Sequence, residues 1–406
     1  MVALKDLFRN PTAFELDLAE RYSRLPRSPQ RDRNFEAFAG TGLPHGRVEA
    51  WKYSDLRNAL NEAPKLEERV PTTPFSAIED AVVFTFGAKG FKAPKVLPKG
   101  LRIIEQDNAQ ALGGAEDTPV AALGAALSAK PGAVLIEVTD SIETPLHLVF
   151  ETTADLDFSR VSFVVRDGAE LTVLESHLAS GGFSSRVIEY GLQDKARVNR
   201  SIYQAASKSA VQVFTCLAHL NAGASFNQMA LGFGAKLCRN ETRIYHHGEG
   251  ANADLNAAYL VGDGYHYDQT SLVRHSHADC ETHQLCKGAV LDGGQAVFQG
   301  KFFVARKAQR TDAEMAHHAL ILENGGEINA KPELEIYADD VQCAHGNTVG
   351  ALDETALFYM RQRGIPEKAA RALLTEAFIN ETFENAPETV KDSLTASAQA
   401  WLEAQA

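Results

Sequence analysis

Residues 331–365 read KPELEIYADDVQCAHGNTVGALDETALFYMRQRGI, a stretch that joins a β region to a helical one. Leu334, Ile336 and Ala338 alternate with Glu333, Glu335 and Tyr337, a period of two that predicts a strand. Cys343 and His345 follow two apart, so an extended backbone projects a thiol and an imidazole from one face. Asp353 stands where a helix N-cap belongs, and Leu357 and Met360/Arg361 sit one turn apart in the helix it would start. Gly364 closes that helix and Pro366 opens the next.

Upstream, from Gly132 to about Leu352, the segments AVLIEV, LHLVFE, VSFVVR, ELTVLE, RVIEYGL, VQVFTCLAHL, AVFQGKFFVA and HHALILE are rich in Val, Ile, Phe and Thr. Turn clusters such as RDGAE, LNAGAS, GEGANAD, LDGGQA and ENGGE separate them, and no helix is expected in this region. Strands recurring at this spacing suit a sandwich, a barrel or a β-solenoid, and no fixed repeat period selects among them. Residues 1–60 read as helical, with Phe14, Leu18, Tyr22 and Leu25 at helical spacing before Pro26 and Pro29. AVVFTF (81–86) and LRIIE (101–105) predict short strands, and PVAALGAALSA (119–129) a helix. Residues 353–406 read as three helices, the middle one with an apolar stripe of Ala369, Leu373, Ala377, Phe378 and Ile379 that suits packing on neighbouring helices.

Composition narrows the function. The 406 residues are 45% hydrophobic and 23% charged, values of an ordinary globular chain. A formal charge of −13 argues against a nucleic-acid-binding surface, which needs clustered Lys and Arg. No apolar run reaches the roughly 20 residues of a membrane span, and MVALKDLFRNPTAFEL has no signal-peptide core. Five cysteines do not make a disulfide framework, so a reducing cytoplasm is the expected location.

The enzyme motifs that can be tested fail: GxxxxGK[ST], HExxH, GxSxG and paired CxxC are absent. Thiols and imidazoles are the exception. RHSHADCETHQLCKG carries His275, His277, Cys280, His283 and Cys286, residue types that suit zinc or iron. On a continuous strand, however, the histidines take odd positions and the cysteines even ones, and no Gly or Pro offers a turn. A local metal site is therefore not expected, nor is tightly bound metal in the isolated chain. Cys343 and His345 are two donors where a closed cluster wants four, so any cluster there needs a second chain. His317 and His318 are adjacent and so face opposite sides of a strand.

The 331–365 stretch resembles the C-terminal signature shared by the SufB and SufD subunits of the iron–sulfur cluster assembly machine, and is most similar to that of SufD. GLPHGRVEAWKYSDLR, from Gly42 to Arg57, resembles a motif near the N-terminus of SufD; on its own it reads equally as a loop packed by Trp51 and Tyr53 or as a partner contact. The resemblance implies a right-handed parallel β-helix (solenoid) core over 131–352, between an N-terminal mainly helical domain with a few short strands (1–130) and a C-terminal helical domain (353–406). It implies a non-catalytic assembly subunit that pairs with SufB through the β-helix ends, or with itself in SufB's absence. The ATPase SufC would dock on the C-terminal helices, with Phe358, Tyr359, Arg361 and Arg363 as the candidate contacts. His345, and secondarily Cys343, would meet a transient Fe–S cluster at the shared interface. The rivals are a SufB-like scaffold, a self-sufficient zinc- or iron-binding solenoid using 275–286, and a secreted polysaccharide-active β-helix. The last lacks both a signal peptide and a carboxylate constellation.

Overall fold

A computed structural model describes residues 8–405, apart from 63, 68, 88–89, 106–117 and 129–132. The domain boundary expected at 130/131 lies outside the described residues. The chain opens with helices α1 (Ala13–Ser23), α2 (Pro29–Thr41) and the short α3 (Leu56–Ala59). Strands β1 (Val82–Gly87), β2 (Gly90–Lys92) and β3 (Leu101–Glu105) precede helix α4 (Pro119–Leu127). Then come β4 (Ala133–Val138), β5 (Ile142–Thr152), β6 (Leu156–Val165), β7 (Glu170–Ala179), β8 (Phe183–Leu192), β9 (Arg197–Ala206), β10 (Val211–Leu220) and β11 (Ser225–Gly232). They continue as β12 (Leu237–His246), β13 (Asn252–Val261), β14 (His266–His275), β15 (Glu281–Val290), β16 (Gln295–Val304), β17 (Asp312–Ile321), β18 (Glu327–Ile336) and β19 (Gln342–Gly350). Helices α5 (Glu354–Gln362), α6 (Glu367–Asn380) and α7 (Glu388–Ala404) end the chain.

From β4 onward alternate strands belong to opposite sheets. Odd strands β19-β17-β15-β13-β11-β9-β7-β5 continue into β1-β2, and even strands β18 to β4 continue into β3. Strands β5 to β19 pair in parallel with their counterparts one coil away, which makes a parallel β-solenoid of about eight turns over 134–350. The sandwich and the barrel are thereby excluded. Coil length drifts: Val211 pairs with Leu237, 26 residues on, whereas Gln295 pairs with Glu327, 32 on. That drift hides the repeat from a search for one fixed period.

One corner of six successive coils, from β6–β7 to β16–β17, uses the same turn. The residues taking its left-handed conformation are Gly168, Lys195, Gly223, Gly250, Asp279 and Arg310, at φ between 57° and 67°. Each N–H in this series bonds a carbonyl of the next coil's corner, as Gly250 does to Ala278 at 3.2 Å and Asp279 to Gln309 at 3.0 Å. Asp tolerates positive φ better than most residues, and Arg310 clamps Asp279 with two bonds of 2.6 Å.

The lumen is mainly apolar, from Phe84 and Phe150 at one end to Phe298, Phe302 and Met315 at the other. It also encloses a polar cluster: Arg200 bonds Glu175 twice at 2.6 and 2.7 Å, Tyr190 donates to Glu175 at 2.9 Å, and His177 sits 3.1 Å from it. Helices cover both outer faces. Val120, Leu123 and Leu127 of α4 pack with Phe35 and Phe38 against Phe183, Val211 and Leu237 of the even sheet. Ile379 of α6 and Leu394, Ala398 and Leu402 of α7 cover Leu174, Leu231, Leu260 and Ala289 of the odd sheet.

The cap signals around α5 hold. The Asp353 side chain accepts from Thr355 and Ala356 N–H groups, Gly364 takes φ 84°, and Pro366 is the N-cap of α6. The stripe expected on α6 holds only at Phe378 and Ile379. Ala369, Leu373 and Ala377 face solvent, while Ala370, Thr375 and Ile379 are buried with Leu374 and Phe378 partly so. In a helix this rich in Ala and Leu, two adjacent stripes look alike. Thr375 is admitted to the inner one because its hydroxyl bonds back to the Arg371 carbonyl at 2.8 Å.

Candidate functional site

The two ends of the solenoid differ. At the N-terminal end the sheets finish in antiparallel pairs, β1 with β2 and β3 with β4, the outermost strands being three and five residues long. At the C-terminal end β18 and β19, ten and nine residues long, each pair on one side only. An uncapped strand edge with free N–H and C=O groups is a template for another strand.

The residues at this edge would be core if one more coil followed. Cys343 and His345 are in register with Ala313 and Met315, which face the lumen and are buried. Ile328, Ala330, Leu334 and Ile336 continue the buried positions Ala296, Phe298, Phe302 and Val304 in the same way. On the last coil Ile336 is 39% exposed and Val349 45%. So a thiol, an imidazole and an apolar floor face out of the open lumen together.

Cys343 is half-buried beside Val304, Ala308 and Ala338. Burial, and after it the neighbouring Asp312, pushes its thiol pKa up. A thiol so placed packs first and ligates only after losing a proton. His345 is exposed and, among the described residues, has no hydrogen-bond partner. Its ring nitrogens are available to a ligand. Asn347, two residues on, was not singled out from sequence. Its Oδ1 lies 2.7 Å from Nδ1 of the buried His317, which therefore donates, leaving Nε2 to accept from Tyr259 at 2.9 Å. His317 stacks on Phe298 at 4.5 Å, and burial holds its pKa down to about 4. His318 points outward to Thr348 at 2.7 Å, as adjacency requires.

Of the helical candidates, Phe358 and Tyr359 are 62% and 59% exposed. Arg363 donates to the Tyr359 hydroxyl at 2.6 Å with its guanidinium 5.0 Å from the ring centre, and Arg361 faces Glu367 at 3.4 Å. The N-terminal motif is packed rather than free: Trp51 is buried under Arg239, 4.2 Å from ring centre to guanidinium. Ser54 donates to Asp268 at 2.6 Å.

The parity argument against 275–286 fails. It assumes a continuous strand, but β14 ends at His275 and the corner turn through Asp279 intervenes before Cys280. His275 and Cys280 consequently meet, and His246 from the preceding coil joins them, with ligand atoms all within 4.8 Å.

Residues 149–378, more than half of the chain, match the family model described as SUF system FeS cluster assembly, SufBD core domain. The chain belongs to the SufBD family. Similar proteins include SufD of Escherichia coli, 27% identical over 382 residues, which covers 88% of this chain and 89% of that protein. A SufBD family protein of Synechocystis is 30% identical over 269 residues, 63% of this chain and 59% of that protein. One of Mycobacterium tuberculosis is 24% identical over 372 residues, 89% and 90% of the two chains. The SufBD assignment accounts for the solenoid and for a role in Fe–S cluster assembly. Among the described residues, no helix is long and apolar enough to cross a membrane.

Proposed function

We propose that this chain is a non-catalytic, SufD-type subunit that pairs through the open end of its solenoid with a SufB-type chain. The observation that carries this reading is the pair of unpaired edge strands β18 and β19 surrounding a lumen mouth that holds Cys343 and His345. Two donors cannot close an iron–sulfur site, so the nascent cluster, which is cargo here, takes its remaining ligands from the partner. His345 is the stronger donor because its ring is unengaged, and Cys343 is the weaker because it is packed. The solenoid offers the partner backbone groups for strand pairing and apolar side chains for burial, a combination typical of strand addition. In the partner's absence the same edge would pair with a second copy of this chain.

We infer also that the SufC-type ATPase docks on the C-terminal helices, through Phe358, Tyr359 and Arg361 of α5 and Arg363 at its C-terminal cap. Exposure of two large aromatic rings beside two arginines favours this, since such residues dominate interface hot spots. ATP-driven closure of the ATPase dimer would then pull on the helices and rearrange the lumen mouth. Phe358→Asp or Arg363→Glu should abolish capture of the ATPase in a pull-down. Neither should move the unfolding of the solenoid by more than about 0.5 kcal/mol, as expected of surface positions. Unfolding of the whole chain by either change would make these residues structural instead.

A further inference from the structure

The corner that leads from even strands to odd ones is built from stacked ladders of small and apolar residues. At the end of the even strands the ladder runs Val165, Leu192, Leu220, then His246 and His275, then Val304, all buried. Just after the left-handed turn residue it runs Ala169, Ala196, Ala224, Ala251 and then Cys280. One step into the odd strands it runs Leu171, Val198, Phe226, Ala253 and then Thr282. Four polar substitutions thus fall on neighbouring rungs of one corner and nowhere else along these ladders up to that point. The two imidazoles stack at 4.5 Å with an interplanar angle of 11°. Neither ring nitrogen of His275 nor Nδ1 of His246 has a hydrogen-bond partner among the described residues, and the Thr282 hydroxyl lies 3.4 Å from Nε2 of His246. Cys280 lies no closer than 3.4 Å to its acceptor carbonyls, those of Gly248 and Ala278. Buried imidazole nitrogens without partners are costly unless something satisfies them.

We propose that His246, His275 and Cys280 form a site for one zinc-class divalent ion, distinct from the lumen mouth at Cys343 and His345. Two imidazoles and a thiolate are the donor set that borderline-soft ions select, and three protein donors leave a fourth position beside the Thr282 hydroxyl. Burial keeps both rings neutral, as ligation requires, and pushes the Cys280 thiol up to about 11. Binding therefore exchanges the thiol proton, released to water, for a sulfur–metal bond. His247, exposed, and His277, half-buried, flank the same corner and offer a route for the ion from solvent.

The test uses the full-length chain, reduced and stripped with a chelator, then titrated with Co2+ and back-titrated with Zn2+. One Co2+ per chain should produce a thiolate-to-cobalt charge-transfer absorption that Zn2+ removes, and Zn2+ should raise Tm by a few degrees. Cys280→Ala and His275→Leu restore residues that the ladders carry elsewhere, so both variants should fold. Each should weaken binding by at least roughly 100-fold, the upper end of what loss of a mere supporting group causes. Cys280→Ala should also lose the charge-transfer band, while Cys343→Ala should keep it. A wild-type chain without the band, a band that survives Cys280→Ala, or one that vanishes in Cys343→Ala overturns the proposal. Should Cys280→Ala fail to fold, a His275→Leu chain that folds and keeps wild-type Co2+ affinity overturns it equally.

Discussion

Replacing His345 by alanine should leave the chain folded and its assembly with SufB- and SufC-type partners intact, while cluster formation on that assembly falls roughly tenfold or more. The folded state should be indifferent because the ring is exposed and has no partner among the described residues. Removing such a side chain shifts stability by no more than about 0.5 kcal/mol. The cluster should not be indifferent. A site shared between two chains that loses one donor leaves iron with an open position for solvent. Cys343→Ser should reduce yield less, since the thiol is half-buried against Val304, Ala308 and Ala338. Visible absorbance of the assembly produced in vivo, with its iron and sulfide content, reads both variants. Wild-type yield from His345→Ala would remove the residue from the cluster's path.

Stability should fall steeply between about pH 6.5 and 4, well before most carboxylates protonate. His147, His177 and His317 are buried and neutral in the folded chain, each with its pKa held down to about 4 by desolvation. At His177 and His317 hydrogen bonds to Glu175 and Asn347 oppose that shift without cancelling it. In the unfolded chain the same imidazoles protonate near 6.5, so above that pH they contribute nothing to the difference. Below it the unfolded chain binds protons that the folded chain refuses, and stability declines until pH reaches the folded value near 4. Each histidine then removes on the order of 3 kcal/mol. Three of them remove an amount comparable to the whole stability of a typical domain, about 5–15 kcal/mol. Glu175 acts in a lower window. Burial opposes its ionisation, but Arg200 and His177 more than offset this and hold it down to about 2. Its contribution is therefore present above about 4.5 and lost only as pH falls toward 2. Urea midpoints at pH 7, 6, 5 and 4 would follow the first window, and a midpoint that is level from 7 to 4 would contradict the assignment of these rings as buried and neutral.

Much of this architecture is legible in the chain, and its omissions have physical causes. Part of the strand set announces itself through β-branched and aromatic runs, whereas β9 and β11 to β15, interrupted by Asn, Gln, His and Arg, do not. The caps at Asp353, Gly364 and Pro366 read directly because each depends on one local conformation. Coil length drifting from 26 to 32 residues is what conceals the solenoid from periodicity. Cys343 and His345 share a face because strand alternation is strict, yet nothing local says that their face is an open lumen. That follows only from the end of the stacking. The corner holding His275 and Cys280 stayed hidden because Asp279 takes a turn conformation that Gly250 takes one coil earlier. The luminal pair Glu175–Arg200 is likewise invisible locally, its members standing on neighbouring coils.

Pairing through the open end of the solenoid is tested most directly by amide hydrogen exchange of the full-length chain, alone and mixed with a SufB-type subunit. The expected result is slowed exchange over 327–336 and 342–350, the two edge strands, with the N-terminal strands β2 and β3 unchanged. Protection confined to other surfaces, with both edges exchanging as fast in the mixture as alone, would contradict it.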